Sequence, residues 1–296
     1  RRGGAAKISV MASALFGTIS GAAVANVVVT GVITIPMMRE SGYKATHAGA
    51  IEAIASTGGQ MMPPIMGAAA FLMAETLEIP YAEIVIAALV PSILYYFAAY
   101  IQVDLIAAKD NIAAVDMEIP RLGQVLKEGW YFIPPFVVLI YMLFWANQPA
   151  AVAGIWASAV LTVSGMVFSY KGRRVRLPDL YEILAETGLI TIRLIMIVAA
   201  AGLVIGVLNI TGLGLALPTA LINIAGNNLA VLLIIAAVIC IILGMGMPTT
   251  AVYILLSALI APAIIEAGVD DVPAHMFILY FGMMSMIPPP IALAAF

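Results

Sequence analysis

The sequence predicts an all-α integral membrane protein, an inverted repeat with two re-entrant helical hairpins and two proline-broken helices. Three observations predict it. Of 296 residues, 64% are hydrophobic and only 10% are charged. A soluble domain of this size carries about 25% charged residues, and several apolar runs here exceed the roughly 20 residues that cross a bilayer. Next, GGQMMPPIMGAAAF (Gly58–Phe71) returns 225 positions later as MMSMIPPPIALAAF (Met283–Phe296). Finally, two long apolar segments, 8–38 and 228–267, are each interrupted in mid-course by small and polar residues.

Taken in order, the first repeat covers 1–104. Segment 8–38 carries GTISGAAVAN (Gly17–Asn26) at its centre, with Arg1, Arg2 and Lys7 before it and Arg39 and Lys44 after it. A single crossing would leave cations on both sides. A re-entrant hairpin keeps both ends on one face and sets the polar tip at mid-membrane, where non-helical backbone needs a protein-lined or wet cavity. Residues 45–77 form the first broken helix. Pro63 and Pro64 lack backbone donors and clash with the preceding turn, and lipid cannot satisfy the carbonyls so freed. A span over 81–103 completes this repeat. Residues 105–128 read as an amphipathic connector at the interface. Residues 129–211 hold scaffold-type spans at 130–145, 150–170 and 181–209, with Trp130, Tyr131, Trp145 and Trp156 as interface anchors. The second repeat covers 212–296. Its hairpin, 228–267, is interrupted by GMGMPTT (Gly244–Thr250), and its broken helix is 275–296. The chain opens without Met and stops inside that break, so a piece of a longer protein is expected.

Five spans separate the two hairpins. Five is odd, so the second hairpin opens on the opposite side. With the ends of the first hairpin in the cytoplasm, 12 of the 13 Lys and Arg residues fall on the cytoplasmic face and Arg193 lies within a span. The outer loops hold Glu78, Glu83, Glu266, Asp270 and Asp271. The positive-inside rule asks for this distribution.

Chemistry is expected at the interruptions. At the first tip, Gly and Ala allow close backbone approach while Ser20 and Asn26 offer oxygens; Gly17 and Gly21 also form GxxxG, a helix-packing pattern. At the break Ser56–Pro64, freed carbonyls suit a small hard cation. The next half-helix offers N–H groups to an anion. The same break therefore suits Na⁺ and a carboxylate, although a plain kink is the blander alternative. Pseudo-symmetric partners are Gly244–Thr250, with Thr249 and Thr250 placed as Ser20 is, and the stretch of Ser285, Ile287 and Pro288. Together they predict one cation site per repeat around a central substrate site, lined by Ser20, Asn26, Gln60, Pro64, Thr250 and Ser285. Neither tip carries an Arg or Lys to clamp a carboxylate.

Glu52 and Arg193 are isolated ionisable residues. Charge at membrane depth is costly and often functional, but both can equally snorkel or pair near the interface. His47 and His275 read as interface residues. Cys240, the sole cysteine, reads as a small core residue, so no disulfide or thiolate cluster is available. HExxH, P-loop and GxSxG motifs are absent. No enzyme activity, no cofactor, no ATP-driven transport by this chain itself and no nucleic-acid partner are expected. An intramembrane enzyme is a distant alternative, because Thr18 stands two before Ser20 where a nucleophile loop has Gly.

On FGTISGAAVANVVVTGVITIPMM, YKATHAGAIEAIASTGGQMMPPIMGAAAFLMAE, YFAAYIQVDL, IILGMGMPTTAVYILL and MMSMIPPPIALAAF, the chain resembles the large membrane subunit of tripartite ATP-independent periplasmic (TRAP) transporters. The match is best to the type in which small and large membrane subunits are fused. The resemblance covers essentially the whole chain. It implies an elevator-type, Na⁺-coupled uptake system in the inner (cytoplasmic) membrane for small organic anions of the C4-dicarboxylate, 2-oxoacid or amino-acid class. It also implies a soluble extracytoplasmic solute-binding protein and a small membrane subunit or its fused equivalent as partners. The family's Na⁺ sites, mostly backbone carbonyls, fall on Ser20, Gly58, Met61 and Pro63 in the first half. In the second half they fall on Gly246, Thr249, Ser285 and Pro288, where Pro248 and Pro290 depart from the first-half pattern. Ser20→Ala and Thr249→Ala are expected to raise the Na⁺ requirement alike. A binding-protein-independent Na⁺/dicarboxylate symporter of the same hairpin architecture is the alternative, and a channel the third.

Overall fold

The computed structural model describes residues 2–112, 123, 127, 129–169, 172, 174–226 and 228–295. Among these, every regular element is helical. Helices α1 (Gly4–Ser20) and α2 (Ala23–Glu40) are joined by only two residues. Gly21 turns the chain at φ 60° and its N–H bonds Gly17 O at 3.0 Å, a left-handed cap that glycine adopts without a Cβ penalty. The helical hairpin expected over 8–38 is present. Its turn is tighter than the sequence implies, so Asn26 lies inside α2 rather than at the tip.

Helix α3 (Ala45–Gly58) tightens into a 3-10 turn, Gly59–Met61, and stops. Met62, just before the prolines, is extended at φ −81° and ψ 117°, as a residue before proline prefers. Met66 sits at φ 63°, and Gly67 N–H closes the break on Gln60 O at 2.8 Å. Helix α4 (Ala68–Leu77) then resumes. Helix α5 (Tyr81–Lys109) runs past its expected end at 103 and absorbs the start of the 105–128 connector; most of that connector lies outside the described residues.

A 3-10 turn, Trp130–Phe132, leads into α6 (Ile133–Phe144), followed by α7 (Ala150–Val167) and α8 (Leu177–Thr211). Helix α9 (Leu213–Ala225) matches no sequence expectation. Gly212, at φ 74°, separates it from α8, and Pro218 sits inside it. Its 13 residues reach about 20 Å, short of a bilayer's hydrocarbon core. The second hairpin is α10 (Leu229–Gly244) and α11 (Thr249–Leu259), joined by residues 245–248. The Asn228 side chain caps α10 by accepting from Ala230 N at 3.0 Å and Val231 N at 3.3 Å, satisfying donors that a helix start leaves free. Helix α12 (Ala261–Glu266) is short, and α13 (Asp271–Met284) is the second broken helix. Residues 285–295 continue as turns.

The chain divides into two compact units: Arg1–Ile79, Glu83–Val115 and Val198–Phe296 form one, Pro80–Ala82 and Asp116–Ile197 the other. In the second unit, α6 packs on α7, and Trp130 meets Phe168 edge-on with ring centroids 4.9 Å apart. In the first unit, α1, α2 and α3 pack into a trio, α10, α11 and α13 pack into another, and α4 lies on α11 and α13. Among the described residues, four helices, α2, α5, α7 and α8, are long and apolar enough to cross a membrane.

The structure shifts the register between the trios by one residue. Sequence identities align at an offset of 225. Structural landmarks align at 226: α3 (Ala45–Gly58) on α13 (Asp271–Met284), and Met66 on Ala292, both at positive φ. The run of three prolines lets the identities slide. Gln60, not Met61, is therefore the counterpart of Met286.

Candidate functional site

The first hairpin tip is clamped to the first break by bare backbone. A Cβ added to Gly17 would lie 2.3 Å from Gly59 Cα, and one added to Gly59 would lie 2.4 Å from Gly17 Cα. One residue beyond Ser20, a Cβ on Gly21 would lie 2.6 Å from Met66 O. Ser20 thus sits between two contact points on the break. Its Oγ is buried and has no hydrogen-bond partner among the described residues. A buried hydroxyl without a partner is uncommon and asks for an explanation. An oxygen ligand aimed at a small hard cation supplies one. In the break, Gly58 and Met61 are buried, and Pro63 and Pro64 are half-buried. A Cβ on Gly58 would strike the Tyr95 ring at 2.3 Å. Helix α5 holds this side, its Tyr95 and Tyr96 hydroxyls donating to Ile54 O and Ala55 O, both at 2.8 Å.

The second tip is built from side chains. A Cβ on Gly244 would lie 2.5 Å from Ser285 Oγ, and one on Gly246 would lie 2.7 Å from Ile291 Cδ1. Ser285 is buried and donates to Gly282 O. Pro288 is half-buried in the second break. Thr249 and Thr250 open α11 and are both buried. Unlike Ser20, Thr249 has a partner: its hydroxyl donates to Gln60 Oε1 and lies 3.6 Å from Met286 Sδ. Gln60 Nε2 also reaches Met286 Sδ at 3.6 Å. Gln60 and Met286 are equivalent residues, and Ala23, the equivalent of Thr249, shares an apolar cluster with Ala53, Met286 and Ala294. Equivalents that touch each other mark a two-fold relation. The structure thus brings Gln60, Thr249 and Ser285 close to the seam between the trios and leaves Ser20 on the first trio's tip. Asn26 is engaged inside that trio, fully buried and donating to Ser13 O at 2.9 Å and Ser56 O at 3.4 Å.

Sequence reasoning missed the most elaborate polar cluster. Glu52 is fully buried. Its carboxyl group receives Ser9 at 2.7 Å, Ser13 at 2.8 Å and Ser56 at 3.0 Å, as well as Thr30 and Thr34. All three helices of the trio contribute. Such bonds to a charged group are worth about 1.5–3 kcal/mol each, enough to offset the several kcal/mol that burying a carboxylate costs. The sequence signal was three four-residue spacings, Ser9/Ser13, Thr30/Thr34 and Glu52/Ser56, each of which stacks two side chains on one helix face. His275 is likewise buried, with Nδ1 2.7 Å from the Tyr253 hydroxyl.

The chain matches the family model described as tripartite ATP-independent periplasmic transporter, DctM component, over residues 1–296. It is 27% identical to the C4-dicarboxylate TRAP transporter large permease protein of Pseudomonas aeruginosa, covering 100% of this chain and 68% of that protein. It is 22% identical to the isethionate TRAP transporter permease protein DctMQ of Oleidesulfovibrio alaskensis, covering 99% and 46%. To the sialic acid TRAP transporter permease protein of Haemophilus influenzae it is 23% identical, covering 99% and 47%. The chain therefore spans about two thirds of the first relative and about half of the other two.

Proposed function

The chain belongs to the DctM-component family of TRAP transporters, and from that premise we propose that it carries the translocating core of a Na⁺-coupled permease for small organic anions. The observation that carries this is the buried Ser20 hydroxyl, without a partner among the described residues and held between two backbone contacts on a broken helix. A Na⁺ ion there would take Ser20 Oγ with carbonyls of the break, among Gly58, Met61 and Pro63. The substrate anion would lie nearer Gln60, Thr250 and Ser285, at the seam of the two trios. Relatives are named for C4-dicarboxylate, isethionate and sialic acid, which share a negative charge on a small polar body. That common chemistry supports an organic anion and leaves its skeleton open. We further propose that the full protein sits in the inner membrane, works by elevator-like movement of the re-entrant hairpins, and receives substrate from an extracytoplasmic binding protein with a small or fused membrane subunit.

The test is uptake by the full-length permease in proteoliposomes, with its binding protein and radiolabelled succinate, N-acetylneuraminate and isethionate as probes. At least one probe should accumulate under an inward Na⁺ gradient without ATP, and only with the binding protein present. Undiminished uptake when choline replaces Na⁺ overturns the coupling. Uptake without the binding protein overturns the three-part arrangement.

A further inference from the structure

We propose that Glu52 and its hydroxyl shell form a proton-binding site that adds a proton to the ions handled by the first repeat. The proposal rests on the permease reading only for what the proton is used for.

Among the described residues, the shell contains hydroxyls alone. Lys7, the one cation of α1, is engaged with Asp104 on α5. On α2, Arg39 and Glu40 lie at the far, exposed end. On α5, Tyr95 and Tyr96 face α3, and their hydroxyls are committed to Ile54 O and Ala55 O. No described cation pairs with Glu52. A guanidinium or ammonium would hold the carboxyl group in one charge state, because it only donates. A hydroxyl both donates and accepts. Here the alternatives are in place: Thr30 Oγ1 lies 2.7 Å from Asn26 O, Thr34 Oγ1 lies 2.9 Å from Thr30 O, and Ser13 Oγ lies 3.3 Å from Thr30 Oγ1. When Glu52 is ionised, the hydroxyls turn toward it. When a proton from water binds an Oε atom, Glu52 donates it to one hydroxyl oxygen and the threonines turn back to their carbonyls. Both states leave every polar atom paired. Thr30 is the half-buried member and gives the proton its entry.

The cluster is not needed to build the fold. In the second trio, Gly244 stands against Ser285 and Val252 as Gly17 stands against Gly59 and Asn26. In that register Ser9 and Ser13 correspond to Ala236 and Cys240, Thr30 and Thr34 to Leu256 and Ile260, and Glu52 to Ile278. All five counterparts are buried, and the same three-helix arrangement packs on them. The cluster also leads to the tip: Ser56, a donor to Glu52, accepts from Asn26 through its carbonyl, and the Asn26 amide lies beside the Gly17–Gly59 contact.

The test is infrared difference spectroscopy of the full-length permease in lipid, stepped between alkaline and acidic buffer. The wild type should show the carbonyl stretch of a protonated carboxylic acid on acidification. Glu52→Gln should lose that band, and Glu266→Gln, at an exposed position, should keep it. No band in the wild type, or a band that survives in Glu52→Gln, overturns the proposal. Should Glu52→Gln fail to fold, Ser13→Ala keeps the carboxyl group and removes one hydroxyl; the band should then shift, and an unmoved band overturns the assignment. A separate arm loads proteoliposomes with a pH dye and follows the lumen during uptake of the probes above. A pH change that accompanies uptake and falls at least tenfold in Glu52→Gln supports proton coupling, and an equal change in both overturns it. Absence of uptake in every case refutes the permease reading and leaves the infrared result to decide the site.

Discussion

The two trios share a plan but join hairpin to break by different means. In the first, glycine meets glycine, and the neighbouring hydroxyl of Ser20 has no partner among the described residues. In the second, glycine meets the side chains of Ser285 and Ile291, and the hydroxyl of Thr249 is already bonded to Gln60. Behind the tips the contrast repeats, with a carboxyl group in hydroxyls on one side and aliphatic packing on the other. Repetition in sequence therefore conserves the packing plan while leaving the chemistry of each copy free to diverge. Ser20 and Thr249 therefore differ in their hydrogen bonding: the Thr249 hydroxyl donates to Gln60 across the two trios, and the Ser20 hydroxyl has no partner among the described residues.

The strongest way to break this contrast is to move the carboxyl group. Ile278→Glu places it where Ala236, Cys240, Leu256 and Ile260 supply no hydroxyl. An uncompensated buried charge costs about 3–5 kcal/mol, so the full-length variant should be recovered poorly and unfold at a markedly lower Tm. A Tm equal to wild type would show that the shell around Glu52 is dispensable to a buried charge.

A second, smaller contrast compares Gly17→Ala with Gly244→Ala. The new methyl at 17 meets backbone, which cannot rotate away; at 244 it meets the Ser285 side chain, which yields more easily. Overpacking of this kind costs about 1–3 kcal/mol. The loss should sit near the top of that range at 17 and near the bottom at 244, read as Tm shifts in the same detergent. Equal shifts would remove the distinction between the joints.

The third contrast sharpens function. Ser20→Ala removes a ligand to a charged ion, worth about 1.5–3 kcal/mol, or roughly a 10- to 150-fold rise in the Na⁺ needed for uptake. Thr249→Ala removes a neutral hydrogen bond, worth about 0.5–1.5 kcal/mol, or roughly 2- to 13-fold. Equal Na⁺ curves for both variants would restore the symmetric reading.

The hairpins and the first break were legible because glycine and proline act locally. The tip of 8–38 is narrower than its composition implies because one left-handed glycine turns the chain in two residues. Helix α9 escaped because a short helix between Gly212 and Gly226, with Pro218 inside it, lacks the length on which span recognition depends. The register slipped because three consecutive prolines match two prolines in two ways, and only the backbone selects one. Glu52 read as an isolated charge because its five partners lie 4 to 43 positions away. Hydroxyls are ordinary in membrane helices, and only the packing of α1, α2 and α3 gathers these.

The meeting of Gly17 and Gly59 also acts as a gauge block. Most joints between helices pass through side chains, whose rotamers lend slack. Here the separation of tip and break is the thickness of two Cα atoms, with nothing between them to adjust. Binding constellations must be held within about 0.5 Å of their working geometry, and a bare backbone stop meets that tolerance without tuning any rotamer. The same stop leaves no adjustment screw: a change elsewhere can move the tip and break together or lift them apart, but cannot reset the gap between them.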